Sequence, residues 1–242
     1  MHQIRLLSTG AALALTFLTG AACGKPDHGQ PTPAHAASRS PAARGPEIAT
    51  ARGSKVTIFH RQGDTSAWRS MPSPNGYGAP RVFLVDQDAG DWLRVRLPIR
   101  PNGSTGWIKT AEVSLTRTTR RVEIDPAAFR FTVLDGRQVL RTGKVATGEG
   151  GTPTPAGLFF FTELLRPQDP EGPYGAYAFG LSGFSSTLKS FAGGPGQIAV
   201  HGTNAPGLLG SKASHGCIRV SNADITWMAQ NLPLGTPVEI KT

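Results

Sequence analysis

One cysteine and two histidines lie close together near the C-terminus, and their residue types suit nucleophilic chemistry. His201 and His215 stand 16 and 2 residues before Cys217. A free thiol has a pKa of about 8.5, so a nucleophilic cysteine needs a nearby base to take its proton. His201 follows a predicted strand that could hold a base steady, and His215 shares a face with Cys217 if the segment is extended. Either histidine could therefore activate the thiol.

The residues around this thiol suit acyl transfer, although other interpretations exist. Gly216 lets backbone N–H groups approach a reacting carbonyl, as an oxyanion hole requires. The two histidines and Cys217 are also plausible zinc ligands, but their spacing matches no closed structural site and Asp224 is a poor fourth ligand. The histidines could be ordinary structural residues and the cysteine a core residue. A single cysteine in a Ser-His-Gly context favours the nucleophile, and we predict no metal.

The elements that must position these residues form a mainly β region of about 120 residues. Asp135-Gly136 is a strong hairpin signal between two strands. One helix is predicted from 221 to 232, where Ser221 can act as N-cap and Asp224 lies in the first turn. The apolar stripe of this helix is Ile225, Met228 and Leu232. Strands are predicted at 122–124, 131–134, 138–140, 144–146, 158–161, 197–200 and 238–240.

A second, smaller β region is predicted at 51–116. Short apolar runs alternate with turn formers such as Asn75-Gly76 and Asn102-Gly103. The segments 91–95 and 103–108, the latter ending in Gly-Trp-Ile, resemble bacterial SH3-like (SH3b) domains. This resemblance implies a small SH3-like β-barrel that binds the cell wall or a partner, or that serves only as a spacer. Trp92 and Trp107 are expected in its core or lining a groove.

The first 50 residues are predicted to contain an export signal followed by a tether. Arg5 precedes an apolar stretch and small residues, which is typical of a signal peptide at 1–22. Gly20-Ala21-Ala22-Cys23 resembles a bacterial lipoprotein cleavage site, although Gly20 stands where that pattern usually has Leu. Lipidation at Cys23 is therefore expected, with simple secretion as the alternative. Residues 23–50 are rich in Pro, Ala and Gly and predict a flexible tether.

Charge and cysteine content narrow the function classes. The net charge of +9 is spread along the chain without a run of Lys and Arg, which argues against a nucleic-acid binder. A diffuse positive charge suits an anionic surface such as a membrane or cell wall. Two cysteines allow at most one bridge, which excludes a disulfide framework.

The segment from His201 to Arg219 carries a family resemblance. It contains His201-Gly202-Thr203 and then Ser214-His215-Gly216-Cys217-Ile218-Arg219. Upstream, residues 146–148 and 152–159 resemble a strand-and-turn motif of the same family, and 173–175 and 179–183 fit its intervening loop region. Together these residues resemble the L,D-transpeptidase family. The resemblance implies a YkuD-type β-sandwich at 120–242, with one clear helix after the catalytic cysteine.

The resemblance also implies a role for each motif residue. Cys217 matches the nucleophile and His201 the base that forms a thiolate–imidazolium pair with it. The backbone carbonyl of Gly202 matches the group that orients the histidine ring. The remaining matches are His215 and Gly216 at the oxyanion site, Ser214 and Arg219 near the donor pocket, and Tyr174 and Tyr177 in a flap or in packing. For Arg219, contact with a substrate carboxylate and support of the motif loop are equally open.

The implied reaction is acyl transfer between peptidoglycan stem peptides in the bacterial cell envelope. A tetrapeptide stem loses its terminal D-Ala to form a thioester on Cys217, and an amine of a neighbouring stem then gives a 3→3 crosslink. No cofactor is implied, and no nucleic acid is expected as a partner. Trimming of stems by water, attachment of a wall protein and an inactive wall-binding protein are the alternatives.

Overall fold

The computed structural model describes residues 45–191 and 193–242. The predicted signal peptide (1–22), Cys23 and most of the predicted tether lie outside these residues. Within them the chain is mainly β, as predicted, with a single α-helix, α1 (Asn222–Asn231). No helix in this part of the chain is long and apolar enough to cross a membrane.

The N-terminal β region (residues 47–117) contains seven strands around its own apolar core. Five of them form an antiparallel sheet in the order β6-β5-β4-β1-β7, and the β2–β3 hairpin joins β6 through paired bonds between Phe59 and Trp107. Side chains that alternate along these strands, such as Leu93 and Val95, fill the core because alternate residues share a face. The resemblance to SH3-like domains stays a prediction. The strands are β1 (Glu47–Ala51), β2 (Lys55–Ile58), β3 (Arg69–Pro72), β4 (Val82–Asp88), β5 (Trp92–Arg96), β6 (Thr105–Lys109) and β7 (Val113–Arg117).

The predicted end of the tether at residue 50 is wrong, because β1 begins at Glu47. This strand lies between β4 and β7 and pairs with both in antiparallel register. Ile48 and Ala49 are buried. The Pro- and Ala-rich composition before this point hides a short strand whose pairing comes entirely from distant residues.

The C-terminal β region (residues 120–240) is built around one eight-stranded arrangement, in the order β10-β9-β8-β17-β12-β13-β14-β16. The first half of β12 pairs with β17 and the second half with β13, so this strand passes from one half of the arrangement to the other. The inner faces of both halves form one core, as the predicted β-sandwich requires. The strands are β8 (Arg120–Asp125), β9 (Arg130–Asp135), β10 (Gln138–Lys144), β11 (Thr147–Gly148), β12 (Gly157–Leu165), β13 (Ala178–Phe184), β14 (Gln197–His201), β15 (Lys212–Ser214), β16 (Ile218–Arg219) and β17 (Pro237–Ile240).

The predicted helix and hairpin are confirmed. Ser221 accepts a hydrogen bond from the Asp224 N–H at 3.0 Å and caps α1, and Ile225, Met228 and Leu232 face the core. Asp135-Gly136 joins β9 to β10, with Gly136 at a φ of 57°. Helix α1 therefore begins directly after the motif that contains Cys217.

One predicted loop is wrong: residues 179–183 belong to β13, which is almost wholly buried. The glycines that indicate a loop are instead sites of close packing. A Cβ on Gly180 would lie 1.7 Å from Glu163 Oε1, and a Cβ on Gly183 would lie 2.4 Å from the Phe159 ring. These glycines make room for neighbouring side chains inside the sheet.

The two β regions share an apolar cluster. Ile48, Val82 and Leu84 of the N-terminal β region pack with Phe160 of β12, and Leu234 closes the cluster. The described residues belong to one compact unit. The N-terminal β region is thus packed against the C-terminal β region and is not suspended on a free linker.

Candidate active site

The parallel pairing of β14 with β16 places Cys217 and His201 on one face of the sheet. Val200 pairs with Ile218, and His201 pairs with Arg219. Because paired residues in a parallel ladder point to the same side, Ile218 and Val200 face the core while Arg219 and His201 face the opposite side. Cys217 precedes Ile218 and returns to the face of His201. The two side chains line a shared cavity of about 270 Å³.

His201 is buried and held by its own neighbour. The residue is 4% exposed, and Nδ1 lies 2.7 Å from the carbonyl oxygen of Gly202, the contact that the family resemblance implies. A carbonyl only accepts, so Nδ1 donates and Nε2 is left as the basic nitrogen of the neutral ring. Burial, followed by the charge of Arg219, lowers the pKa of His201 to about 4, although the bond to Gly202 acts in the opposite direction. The ring is therefore a neutral base at physiological pH.

Gly202 is fixed by a residue that sequence reasoning missed. A Cβ at Gly202 would lie 2.1 Å from Asn222 Oδ1, and the same oxygen accepts a hydrogen bond from the Thr203 N–H at 3.0 Å. Asn222 is the first residue of α1, so the helix start holds the backbone beside the base. The predicted N-cap at Ser221 marks this place in the sequence, but nothing there indicates that Asn222 would accept from the Thr203 N–H.

Cys217 is a free, partly buried thiol next to Ala199. Burial raises its pKa above the ordinary value, while a hydrogen bond with the Ala199 backbone and the charge of Arg219 lower it. Burial therefore favours the uncharged forms of both Cys217 and His201. At the thiol this effect is opposed by the Ala199 hydrogen bond and the Arg219 charge, which favour the thiolate. The thiolate–imidazolium pair implied by the resemblance stays a prediction.

Ser214 and Gly216 shape the turn that leads into Cys217. Ser214 Oγ donates to the Cys217 carbonyl at 2.5 Å and accepts from the Gly216 N–H at 3.2 Å. Gly216 has a φ of 116°, which strongly favours glycine, and its carbonyl accepts from Thr154 Oγ1 at 3.0 Å. Because Ser214 already accepts from the Gly216 N–H, we expect the Cys217 N–H to be the donor to an oxyanion.

Arg219 has structural features that fit each of the two roles considered for it, and contact with a substrate carboxylate stays a prediction. Its backbone exchanges hydrogen bonds of 2.9 Å with Ala146, which ties the motif to the segment between β10 and β11. Its side chain lines the same cavity as Cys217 and His201, and its Nε is buried without a hydrogen-bond partner. An unpaired buried donor is costly, and the positive charge of this guanidinium lies beside the cavity that contains Cys217.

Aromatic rings surround the thiol on its open side. Tyr174 lies 5.0 Å from the His201 ring, whereas Tyr177 packs against the core. His215 is exposed and stacks on Phe191 at 5.3 Å between ring centroids. Tyr174 and Phe191 line the small cavity and also a larger one of about 580 Å³, and Cys217 belongs to both.

Sequence reasoning missed Phe191, since no chemistry marks it, and it did not connect the N-terminal β region with this site. Among the described residues, no group of three or more His, Cys, Asp or Glu side chains is arranged to hold a metal ion. The expectation of a metal-free and cofactor-free reaction stays a prediction.

Comparison with known proteins supplies the family. The family model described as the L,D-transpeptidase catalytic domain (YkuD) matches residues 119–240, half of the chain. YkuD of Bacillus subtilis is 34% identical over 119 residues, which cover 49% of this chain and 64% of that protein. YkuD of Bacillus licheniformis is 37% identical over 125 residues, covering 48% and 67%. The chain thus spans about two thirds of the length of these relatives.

Among solved structures, the L,D-transpeptidase from Mycobacterium smegmatis is 19% identical, with a TM-score of 0.43 and coverage of 66% of this chain and 90% of that one. The family membership is shown by the extent of the family match and by the sequence identity to the Bacillus proteins. The chain belongs to the L,D-transpeptidase family with a YkuD-type catalytic domain.

Proposed function

We propose that this protein is a peptidoglycan L,D-transpeptidase that forms 3→3 crosslinks through an acyl-enzyme on Cys217. The observation that carries the proposal is the placement of Cys217 and His201 on one face and in one cavity, with His201 Nδ1 held by the Gly202 carbonyl. This leaves a neutral imidazole with Nε2 as the base beside a thiol, which is the minimum that nucleophilic catalysis requires.

The first half of the reaction moves one proton and breaks one amide bond. Sγ of Cys217 attacks the carbonyl carbon between the third residue of a tetrapeptide stem and its terminal D-Ala, and Nε2 of His201 takes the thiol proton. The Cys217 N–H donates to the oxygen that becomes negative. His201 then gives the proton to the leaving amine, so D-Ala departs and a thioester remains.

In the second half an amine of a neighbouring stem attacks the thioester. His201 takes a proton from the attacking amine and returns one to Sγ as the C–S bond breaks, so the enzyme ends in its starting protonation state. Arg219 lines the cavity that contains Cys217 and His201, and this supports a role of its guanidinium in binding a substrate carboxylate. No cofactor enters either half.

The proposed setting is the bacterial cell envelope. The signal peptide at 1–22 would export the protein, and a lipid on Cys23 would anchor it, with a periplasmic or secreted form as the alternative. The N-terminal β region, if it is SH3-like, would meet the wall. These proposals rest on the sequence patterns alone.

We expect purified protein incubated with disaccharide tetrapeptides to release D-Ala and to accumulate crosslinked dimers, because the acceptor amine competes with water for the thioester. Mass spectrometry of the products measures this, and fragmentation of the dimer locates the bond between the two third residues. Shortened monomers without dimers would identify a carboxypeptidase. An unchanged substrate would favour a wall-binding protein, and attachment of a wall protein would require that protein as the acceptor.

A further inference from the structure

Arg100 of the N-terminal β region reaches across to a loop of the C-terminal β region. Its guanidinium donates to three backbone carbonyls: Ser185 at 2.6 Å, Leu188 at 2.8 Å and Pro195 at 3.0 Å. These acceptors belong to both arms of one loop, residues 185–191 and 193–196, which we call the bridging loop. A planar fork with several donors is suited to hold two arms together.

We call the three hydrogen bonds from Arg100 to the bridging loop the clamp, and neighbouring residues add further contacts to it. Asn102 donates from Nδ2 to the Phe184 carbonyl at 2.8 Å and accepts from the Phe184 N–H at 2.9 Å. The Arg100 guanidinium also lies over the Phe184 ring, 5.0 Å from its centroid. Gly196 has a φ of 72°, and a Cβ there would lie 2.4 Å from the Leu188 carbonyl oxygen and 3.0 Å from Arg100. The loop is shaped to admit this arginine.

The bridging loop carries Phe191, the ring that lines both cavities at Cys217 and stacks on His215. Within the loop, Phe191 and Gly194 exchange backbone hydrogen bonds of 3.0 and 2.9 Å. The carbonyls that Arg100 holds therefore lie on both sides of Phe191 in sequence.

A second contact from the N-terminal β region reaches the larger cavity directly. Tyr77 lines it together with Tyr174 and Cys217, and a Cβ on Gly194 would lie 3.6 Å from the Tyr77 hydroxyl. Asn75 fixes Tyr77: its Oδ1 accepts from the Tyr77 N–H at 3.0 Å while its Nδ2 donates to buried Glu163 at 2.9 Å. The tyrosine is thus built into the cavity wall from the other region.

We infer that the N-terminal β region is a working part of the substrate site, in which Arg100 positions the bridging loop and Tyr77 helps to bind the stem peptide. This inference rests on the proposed function for the identity of the substrate. It differs from the wall-binding and spacer roles predicted for the region. In either of those roles, substitution of Arg100 or Tyr77 would not change substrate binding or turnover at Cys217.

The test uses the full chain with Arg100→Ala, and with Arg94→Ala as matched control, since Arg94 lies on the same region and its exposed guanidinium contacts Asp86 of that region at 3.8 Å. Backbone hydrogen exchange is measured in peptides that cover the bridging loop, and kcat and KM are measured with disaccharide tetrapeptide. We expect Arg100→Ala to speed exchange in the loop about tenfold and to lower kcat/KM about tenfold or more, because small misplacements at a reacting site are costly. Arg94→Ala should change neither beyond twofold.

Tyr77 supplies a variant that does not threaten folding, because its side chain is half exposed. We expect Tyr77→Ala to raise KM about fivefold with kcat nearly unchanged, and Tyr77→Phe to restore KM, since the wall needs the ring. The alkylation rate of Cys217 by iodoacetamide, a probe too small to need the cavity wall, should stay within twofold in all these variants.

The outcomes separate this inference from the proposed function. Loop exchange and kcat/KM in Arg100→Ala that match those of Arg94→Ala would overturn the clamp, and an unchanged KM in Tyr77→Ala would overturn the binding role. If the wild-type protein turns over no stem peptide, the proposed function fails. Hydrogen exchange in the bridging loop still tests the clamp in that case, because it needs no turnover. The proposed role of Tyr77 in binding the stem peptide would then be wrong as well.

Discussion

Cys217→Ala abolishes turnover of stem peptides, with a loss of at least about 10⁴-fold, because no other group can form the thioester. The variant should also fail to gain the mass of a penem-type β-lactam, which we expect to acylate Sγ of the wild-type protein as a mimic of the acyl donor. Release of D-Ala and intact-mass spectrometry measure the two effects. The side chain is partly buried and small, so the fold should persist.

The control for this variant is thermal unfolding, in which Cys217→Ala should lie close to the wild type. A penem adduct that survives in Cys217→Ala would show that another residue is acylated, and the assignment of the nucleophile would be wrong. An adduct that disappears while D-Ala release continues would separate β-lactam binding from turnover and would equally contradict the account.

His201→Gln lowers kcat by about 10²- to 10⁴-fold, the range expected when a general base is removed.

The same substitution also changes how the free energy of unfolding depends on pH. The pKa of His201 is about 4 in the folded protein against an ordinary value of 6.5. Between these two pH values the unfolded chain therefore binds a proton at His201 that the folded chain does not bind. Above pH 6.5 the histidine contributes no pH dependence. Between pH 6.5 and 4 the wild-type protein loses about 3 kcal/mol that the variant retains.

Urea unfolding of both proteins at several values between pH 4 and pH 7 measures this difference. The free energy of unfolding of the wild type should fall relative to that of His201→Gln as the pH drops through this window. Parallel curves would mean that His201 is not held neutral by burial. Wild-type kcat in His201→Gln would remove it from the mechanism.

Much of the site could be predicted because its chemistry is local in sequence. The thiol, both histidines and the glycines between them lie in one segment of 19 residues, and a strand ending at His201 follows from its apolar run. The helix after Cys217 carries its own capping signal in Ser221, so its beginning could also be read. The family match over 119–240 confirms the resemblance that this motif carries.

Other features depend on distant partners and leave no local pattern. Glycines in β13 look like loop residues until the Glu163 carboxylate and the Phe159 ring that fill their space are known. β1 is stabilised by two neighbours that lie more than thirty and sixty residues away in sequence. The protonation of the thiol and imidazole depends on burial, which the motif does not encode.

The relation between the two β regions is the largest feature that composition and motifs leave out. Arg100 and Asn102 stand in a turn-rich segment that predicts only a hairpin connection, yet their side chains meet backbone groups of residues 184–195. Hydrogen bonds to backbone carbonyls require no particular partner residue type. The sequence of the C-terminal β region therefore contains no pattern from which these hydrogen bonds could be predicted.

The most direct test of the central claim is intact-mass spectrometry of an acid-quenched reaction. The donor is a disaccharide tetrapeptide whose side-chain amine is acetylated, so that it cannot act as acceptor. We expect a protein mass increased by the disaccharide tripeptide acyl group, one D-Ala released per adduct, and the modification mapped to the peptide containing Cys217. Release of D-Ala with the thiol of Cys217 unmodified at every quench time, or an adduct on another residue, would show that Cys217 does not form the acyl-enzyme.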